Sequence, residues 1–457
     1  MRRPPWMLAI DVMGGPRYKA IVEGVRAGLM NGSLKVGERL PPQREFARML
    51  GLNLGTVTRA FDALCQAGLA RGEVGRGTFL TLPSASIDSP PSLWEQSRPP
   101  GFIDLSHNFP ERTPDLAGAD LVLAELMPEP GVDRLLATQV DAGRADHRTA
   151  AARWLAGMGM AVSAQEVTIT CGAQHGLLMA LGALTRPGDM VLAEELTFYG
   201  IKSAAAMLGR NLVGVRMDHE GLRPEALDLA ARRSGAKVLF CCPTLHNPST
   251  ATMGLERRHA ILEVCRRHDL VVVEDDVYGF MLDDPLPPLA SLAPERVVHV
   301  TGLSKLAGPG LRIGYVAAAG RFGQALGVAL RATTLMASPL NAAVAQRLMN
   351  AGALPRIARA IRAETRARQA LVDECFPPAD RVSHPGSFYF GLRTGPRWTA
   401  PSFARAAEQA GIGVTPYDLF EVTPLTGDGM VRICHNAAPD RDGLRRALAG
   451  LKALRDG

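Results

Sequence analysis

The sequence predicts an α/β protein in which a small basic helical domain precedes a large domain built on a mostly parallel sheet. Three observations predict it. Residues 1–82 hold 12 Lys/Arg against 6 Asp/Glu, while the other 375 residues hold 39 of each, so the whole net charge of +6 sits at the N-terminus. Residues 83–101, PSASIDSPPSLWEQSRPPG, contain five prolines and five serines, a composition that builds no core and suits an extended tether. From Phe102 onward, apolar runs alternate with helical patterns, as in strand–helix units feeding a parallel sheet.

In the first domain, Tyr18, Ile21, Val22, Val25 and Leu29 follow helical spacing, which predicts a helix over residues 17–30 that ends at Asn31 and Gly32. A second helix is expected from about Pro42 through QREFARML. Gly51 makes a turn, Asn53 caps a third helix through TVTRAFDALCQA, and Gly68 closes it. Residues 69–71, a tip EVGRG and the β-prone TFL then read as a hairpin with Arg76 at its tip. Two short helices around a glycine turn form a helix-turn-helix, whose second helix enters the DNA major groove. The charge asymmetry points the same way, to an anionic partner for this domain alone. The stretch LPPQREFARMLGLNLGTVTRAFDALCQAGLARGEVGRGTFL resembles the winged helix of the GntR family of transcription regulators, over roughly residues 15–82. The resemblance implies that Arg44, Thr56, Thr58 and Arg59 face double-stranded DNA and that Arg76 touches a phosphate or the minor groove.

In the large domain, ligands are expected beyond the carboxyl ends of the strands. Four predicted strand ends each carry a useful group. Residues 166–170 lead to Gly172, Ala173 and Gln174 and a helix from about His175, whose free N–H groups suit a phosphate. Residues 237–242 lead to PTLHNPS, where the Asn247 amide can donate to a ring oxygen. Residues 270–273 lead to EDDVYG, in which Asp275 suits a pyridine nitrogen and Tyr278 lies three residues on. Residues 296–300 lead to SKLAGPGLRIGY. There Lys305 offers an amine for an aldehyde and Arg312 a fork for a phosphate. Each feature alone is an ordinary turn, an acidic loop or a surface lysine. In this order they describe a pyridoxal 5'-phosphate site.

The same order of motifs resembles the fold-type I aminotransferases over roughly residues 102–457, with a small subdomain from about 335. Together with the winged helix, the chain resembles the MocR subfamily of GntR regulators. That resemblance implies that Lys305 forms the internal aldimine, Asp275 pairs with the ring nitrogen, and Asn247 and Tyr278 hold the ring hydroxyl. Ser304, Arg312 and residues 172–174 would bind phosphate, and Arg432 in VRICHNA would take an effector's carboxylate. It further implies a homodimer controlled by an amino compound or by pyridoxal phosphate itself. Three departures count against efficient transamination. Phe198 replaces the tyrosine usually stacked on the ring. Thr138 stands in the region of a tyrosine usually lent by the partner subunit. Gly302 replaces a hydroxyl residue, with Thr301 beside it to compensate. A working aminotransferase with an incidental DNA-binding domain is the alternative reading, and a DNA-binding protein with an empty pocket is a third.

The remaining composition excludes little but is consistent. No apolar run approaches the roughly 18 residues of a membrane span, and MRRPPWMLAI lacks the long apolar region of a signal peptide. Seven cysteines, an odd count without a CxxC pair, argue against a disulfide framework or a zinc site, and a reducing cytoplasm is expected.

Overall fold

In a computed structural model, the described residues are 16–30, 33–35, 37–73, 76–81, 99–108, 135–137, 142–423 and 429–457. The turn at Asn31 and Gly32, two residues of the hairpin tip, Trp94 with most of the linker, and Thr138 lie outside them.

Helices α1 (Arg17–Met30), α2 (Gln43–Leu50) and α3 (Leu54–Gln66) are followed by the antiparallel hairpin β1 (Ala70–Glu73) and β2 (Gly77–Leu80). Pro42 is the cap residue before α2 and not its first helical residue. Gly51 ends α2 at φ 67°, a conformation that glycine adopts without penalty. The Asn53 side chain accepts the Thr56 N–H at 2.7 Å and so fixes where α3 begins. The apolar stripes of all three helices meet in one core around Ile21, Val25, Phe46, Val57, Phe61 and Leu64. The Phe46 and Phe61 rings contact edge-on at 5.4 Å.

The large domain is a seven-stranded sheet. Its strands follow β3 (Ile103–Asp104) in the chain: β4 (Val167–Thr170), β5 (Met190–Glu194), β6 (Asn211–Val215), β7 (Val238–Cys241), β8 (Val271–Asp275), β9 (Val297–Gly302) and β10 (Gly314–Ala318). Their spatial order is β4-β10-β9-β8-β7-β5-β6, and β10 alone runs antiparallel to its neighbours. The central strands are nearly continuous apolar runs because helices cover both faces. Leu239 and Val272 pack into one core, and Phe240, Val273 and Val298 into another.

Helix α4 (Ala173–Leu184) follows β4. It starts two residues earlier than the sequence suggests, because Gly172, at φ 88°, turns the chain directly into the helix. Glu166 belongs to a short 3-10 turn closed by a capping box with Ser163, so β4 begins at Val167. Asp275 is the last residue of β8 and not part of the loop beyond it.

The C-terminal part contains α5 (Ala353–Cys375), a four-stranded antiparallel sheet and α6 (Arg441–Asp456). The sheet comprises β11 (Arg381–Val382), β12 (Phe390–Arg393), β14 (Thr415–Pro416) and β15 (Met430–Ile433). The arginine-rich helix α5 is solvated on one face only, since Arg368 is buried and donates to the carbonyls of His435 (2.9 Å) and Ala438 (2.7 Å). Two assignments cross the expected subdomain boundary. Ala342, Leu348 and Leu354 pack with Leu155 and Ile169 of the large core. Strand β3, just after the linker, pairs in parallel with β13 (Ile412–Gly413), and Leu105 packs with Phe390 and Phe403 in the C-terminal core.

Candidate cofactor site

A cleft opens at the carboxyl ends of β4, β7, β8 and β9. Ala173, Gln174, Phe198, Asn247, Asp275, Tyr278, Ser304, Lys305 and Arg312 all line it. These residues come from positions up to 139 apart in sequence, and the sheet topology brings them together. Gly172 stands at the edge. A side chain there would run into the Arg312 guanidinium, whose Nη2 donates to the Cys171 carbonyl at 3.1 Å. The first turn of α4 and Arg312 thus form one electropositive corner suited to a phosphate.

Strand geometry sorts the three acids of EDDVYG. Glu274 turns under the sheet and accepts the N–H groups of Leu289 (2.7 Å) and Ala290 (3.0 Å). The Asp276 carboxylate lies against the Gly279 backbone and does not line the cleft, while its main-chain carbonyl accepts the Thr301 hydroxyl at 2.8 Å. Asp275 faces the cleft, and its buried Oδ1 has no hydrogen-bond partner among the described residues. Burial, reinforced by the neighbouring Asp276, pushes the Asp275 carboxyl up to about 7. An unsatisfied buried oxygen of this kind suits the protonated nitrogen of a pyridine ring.

Burial also lowers the Lys305 ammonium to about 7, against the pull of Asp275. The lysine donates to the Asn108 carbonyl and lies 5.9 Å from the Tyr278 ring centre. Its neutral, nucleophilic form is therefore available near neutral pH, well below where a free lysine loses its proton. Addition of pyridoxal phosphate to the apo-protein is expected to speed up about tenfold per pH unit below 7 and to level off above it. Stopped-flow absorbance across pH 5–9 checks this, and a rate still climbing steeply at pH 9 would contradict it.

Arg432, on β15, is fully buried beside the cleft. Its Nη1 donates to Asn247 Oδ1 at 2.9 Å, and its Nη2 to the Ser106 carbonyl at 2.6 Å. The first bond takes the oxygen end of the Asn247 amide, so the NH2 end remains as a donor. Thr301 does not compensate for Gly302. Its hydroxyl is spent on Asp276, whereas Gly302 itself lines the cleft, where a side chain would press on the Ala173 N–H.

His107 and Asn108 also line the cleft and were not singled out from sequence. Asn108 Nδ2 donates to the Tyr278 hydroxyl. The only local signal is the short alternating run FIDLSHN; what places it is the pairing of β3 with β13, some 300 residues away. Among the described residues no group of three His, Cys, Asp or Glu could hold a metal, and no helix is long and apolar enough to cross a membrane.

In the N-terminal domain, Arg44 and Arg59 are exposed and Thr56 and Thr58 half-buried. The Thr58 hydroxyl donates to Gln43 Oε1 at 2.9 Å, and the Arg59 guanidinium lies 4.3 Å from the centre of the Tyr18 ring. Arg76 pairs with Glu73 at 2.9 Å with most of its side chain in solvent.

Two families match this chain: aminotransferase class I and II over residues 135–451, and bacterial regulatory proteins, gntR family, over residues 17–80. An uncharacterised HTH-type transcriptional regulator of Bacillus subtilis, YdeF, is 28% identical over 99% of this chain and 97% of its own length. The chain belongs to the MocR subfamily of GntR regulators. A second relative of this MocR protein is the HTH-type transcriptional regulator TauR of Rhodobacter capsulatus, 32% identical over 69% of this chain and 70% of its own. Among solved structures, the α-aminoadipate aminotransferase LysN of Thermus thermophilus superposes on the MocR chain with a TM-score of 0.71. It is 25% identical and covers 78% of this chain and 93% of its own. The MocR chain is a DNA-binding regulator with an aminotransferase-like effector domain, and its cofactor is pyridoxal phosphate.

Proposed function

We propose that this regulator acts in the cytoplasm as a homodimer and that occupancy of its cleft changes how its two winged helices engage DNA. Its DNA-binding domain is residues 1–82, its tether 83–101 and its effector domain 102–457. When bound, pyridoxal phosphate supplies an aldehyde that combines reversibly with amines and a ring that withdraws electrons. Lys305 presents the amine. Residues 172–174, Ser304 and Arg312 hold the phosphate, Asp275 holds the ring nitrogen charged, and Asn247 and Tyr278 hold the ring oxygen. Phe198 covers the ring, and Arg432 receives the carboxylate of an amino-compound effector. At the other end, Arg44, Thr56, Thr58, Arg59 and Arg76 meet the DNA.

One observation carries the coupling. The chain leaving the tether itself lines the cleft, through His107 and Asn108. Ser106 is bonded to Arg432, and Asn108 to Lys305 and Tyr278. A ligand that takes over Lys305 or Arg432 must alter bonds held by the segment to which the DNA-binding domain is tied. That is a differential interaction of the kind a population shift requires.

The test is fluorescence anisotropy on labelled DNA from upstream of the protein's own gene, at one fixed salt concentration because phosphate contacts dominate affinity. Pyridoxal phosphate, at a concentration that just saturates wild type, is expected to change wild-type affinity about fivefold or more, within the usual span of coupling energies, and to leave Lys305→Ala unchanged. Tight binding that ignores the cofactor in both proteins would remove the coupling.

A further inference from the structure

The DNA-facing helix is poor in the groups that usually read bases. Helix α3, LGTVTRAFDALCQ, has one basic residue, Arg59, and its guanidinium lies over the Tyr18 ring on α1. The Thr58 hydroxyl is engaged with Gln43, and the Asn53 side-chain amide oxygen with the Thr56 N–H. Asp62, on the outer face two turns in, carries the charge that repels phosphates.

What that face does offer at its leading end is apolar. Leu54, the first residue of α3, is 42% exposed and is the one large exposed hydrophobic of the described N-terminal domain. It stands at the edge of the core stripe formed by Val57, Phe61 and Leu64 and is not one of the buried residues of that core. Gly55 beside it is exposed, and the space where its side chain would lie holds only the Asn53 amide oxygen, at 3.6 Å. The leading corner of the helix is therefore a bare isobutyl group with open room next to it. A recognition helix presents its N-terminal residues to base edges in the major groove. The apolar feature exposed in that groove is the C5-methyl group of thymine.

We infer that Leu54 is a specificity-determining residue that reads a thymine methyl group in each half-site of the operator. Gly55 lets the helix end approach closely enough for the contact, because it has no side chain to hold the groove wall away. This rests on the DNA-binding role of the domain and adds which base it selects and how.

The experiment uses the full-length protein. A binding site is first selected from random duplex DNA. Each thymine of that site is then replaced singly by deoxyuridine, which removes the methyl group and leaves every hydrogen-bonding atom in place. Affinities are measured for wild type, Leu54→Ala and Leu54→Met. Loss of one buried methyl contact corresponds to about a fourfold change. The expected result is one thymine per half-site at which deoxyuridine weakens wild type by about that factor. Leu54→Ala brings the ratio at that position to about 1 and leaves other positions alone, and Leu54→Met retains the preference. Because Leu54 is outside the core, unchanged circular dichroism is expected for both variants. A thymine preference that persists in Leu54→Ala, or a site indifferent to deoxyuridine throughout, would overturn the inference while leaving DNA binding intact. Failure of any sequence to be selected would overturn both.

Discussion

Lys305→Ala is expected to abolish covalent retention of pyridoxal phosphate. Borohydride should fix about one cofactor per chain in wild type and none in the variant, since Lys305 is the one lysine lining the cleft. The phosphate corner and Asp275 remain, so weak reversible binding survives, weaker by on the order of a hundredfold or more. The variant should also differ without cofactor. Lys305 is lowered to about 7 by burial, whereas in an unfolded chain it keeps the ordinary value of 10.5. Between those two values the unfolded chain holds more protons than the folded one, so this group makes the protein more stable as pH rises through that window. Lys305→Ala removes that rise. Urea unfolding of both apo-proteins at pH 7 and pH 9 measures it. Borohydride labelling of the variant at the wild-type level would place the reactive amine elsewhere.

The second large effect is expected at Arg432. Replacement by alanine leaves the Asn247 amide oxygen and the Ser106 carbonyl without their buried donor. A loss of about 2–4 kcal/mol in unfolding free energy follows from unsatisfied buried acceptors and the cavity. Arg432→Lys keeps the charge and loses the fork, so it should recover part of the stability but little of the binding of a carboxylate-bearing effector. Calorimetry with paired ligands, an amino acid and the corresponding amine, separates the roles. In wild type the amino acid should bind more tightly, and in both variants the difference should shrink by on the order of tenfold or more. If Arg432→Lys kept the full preference for the amino acid, the arginine would serve the fold alone.

How much of this was legible in the sequence depended on distance along the chain. The winged-helix elements rest on local signals, namely the Asn53 cap, Gly51 and the helical spacing from Tyr18 to Leu29, and they fold where those signals lie. The cleft residues were legible because each follows an apolar strand and the sheet collects strand ends on one edge. Local signals were ambiguous over the acids at 274–276, because a run of three carboxylates does not say which faces a ligand; pairing of β8 with β9 decides that. Thr301 misled for the same reason, since alternation along β9 turns its hydroxyl away from the cleft. Asn108 and His107 were invisible because their placement depends on β13, and Arg432 gave no sign that it would lie in the interior next to Asn247.

The same strand pairing determines where the effector domain can be cut free. A fragment begun where the aminotransferase match starts, at residue 135, would lack β3, Leu105, Ser106 and Asn108. The C-terminal core would lose an apolar side chain, β13 its neighbour, and Arg432 one of its acceptors. Cofactor affinity measured on such a fragment would describe a three-walled cleft. An excised domain that reports the behaviour of the whole regulator has to begin ahead of Phe102, and so carries the end of the tether with it.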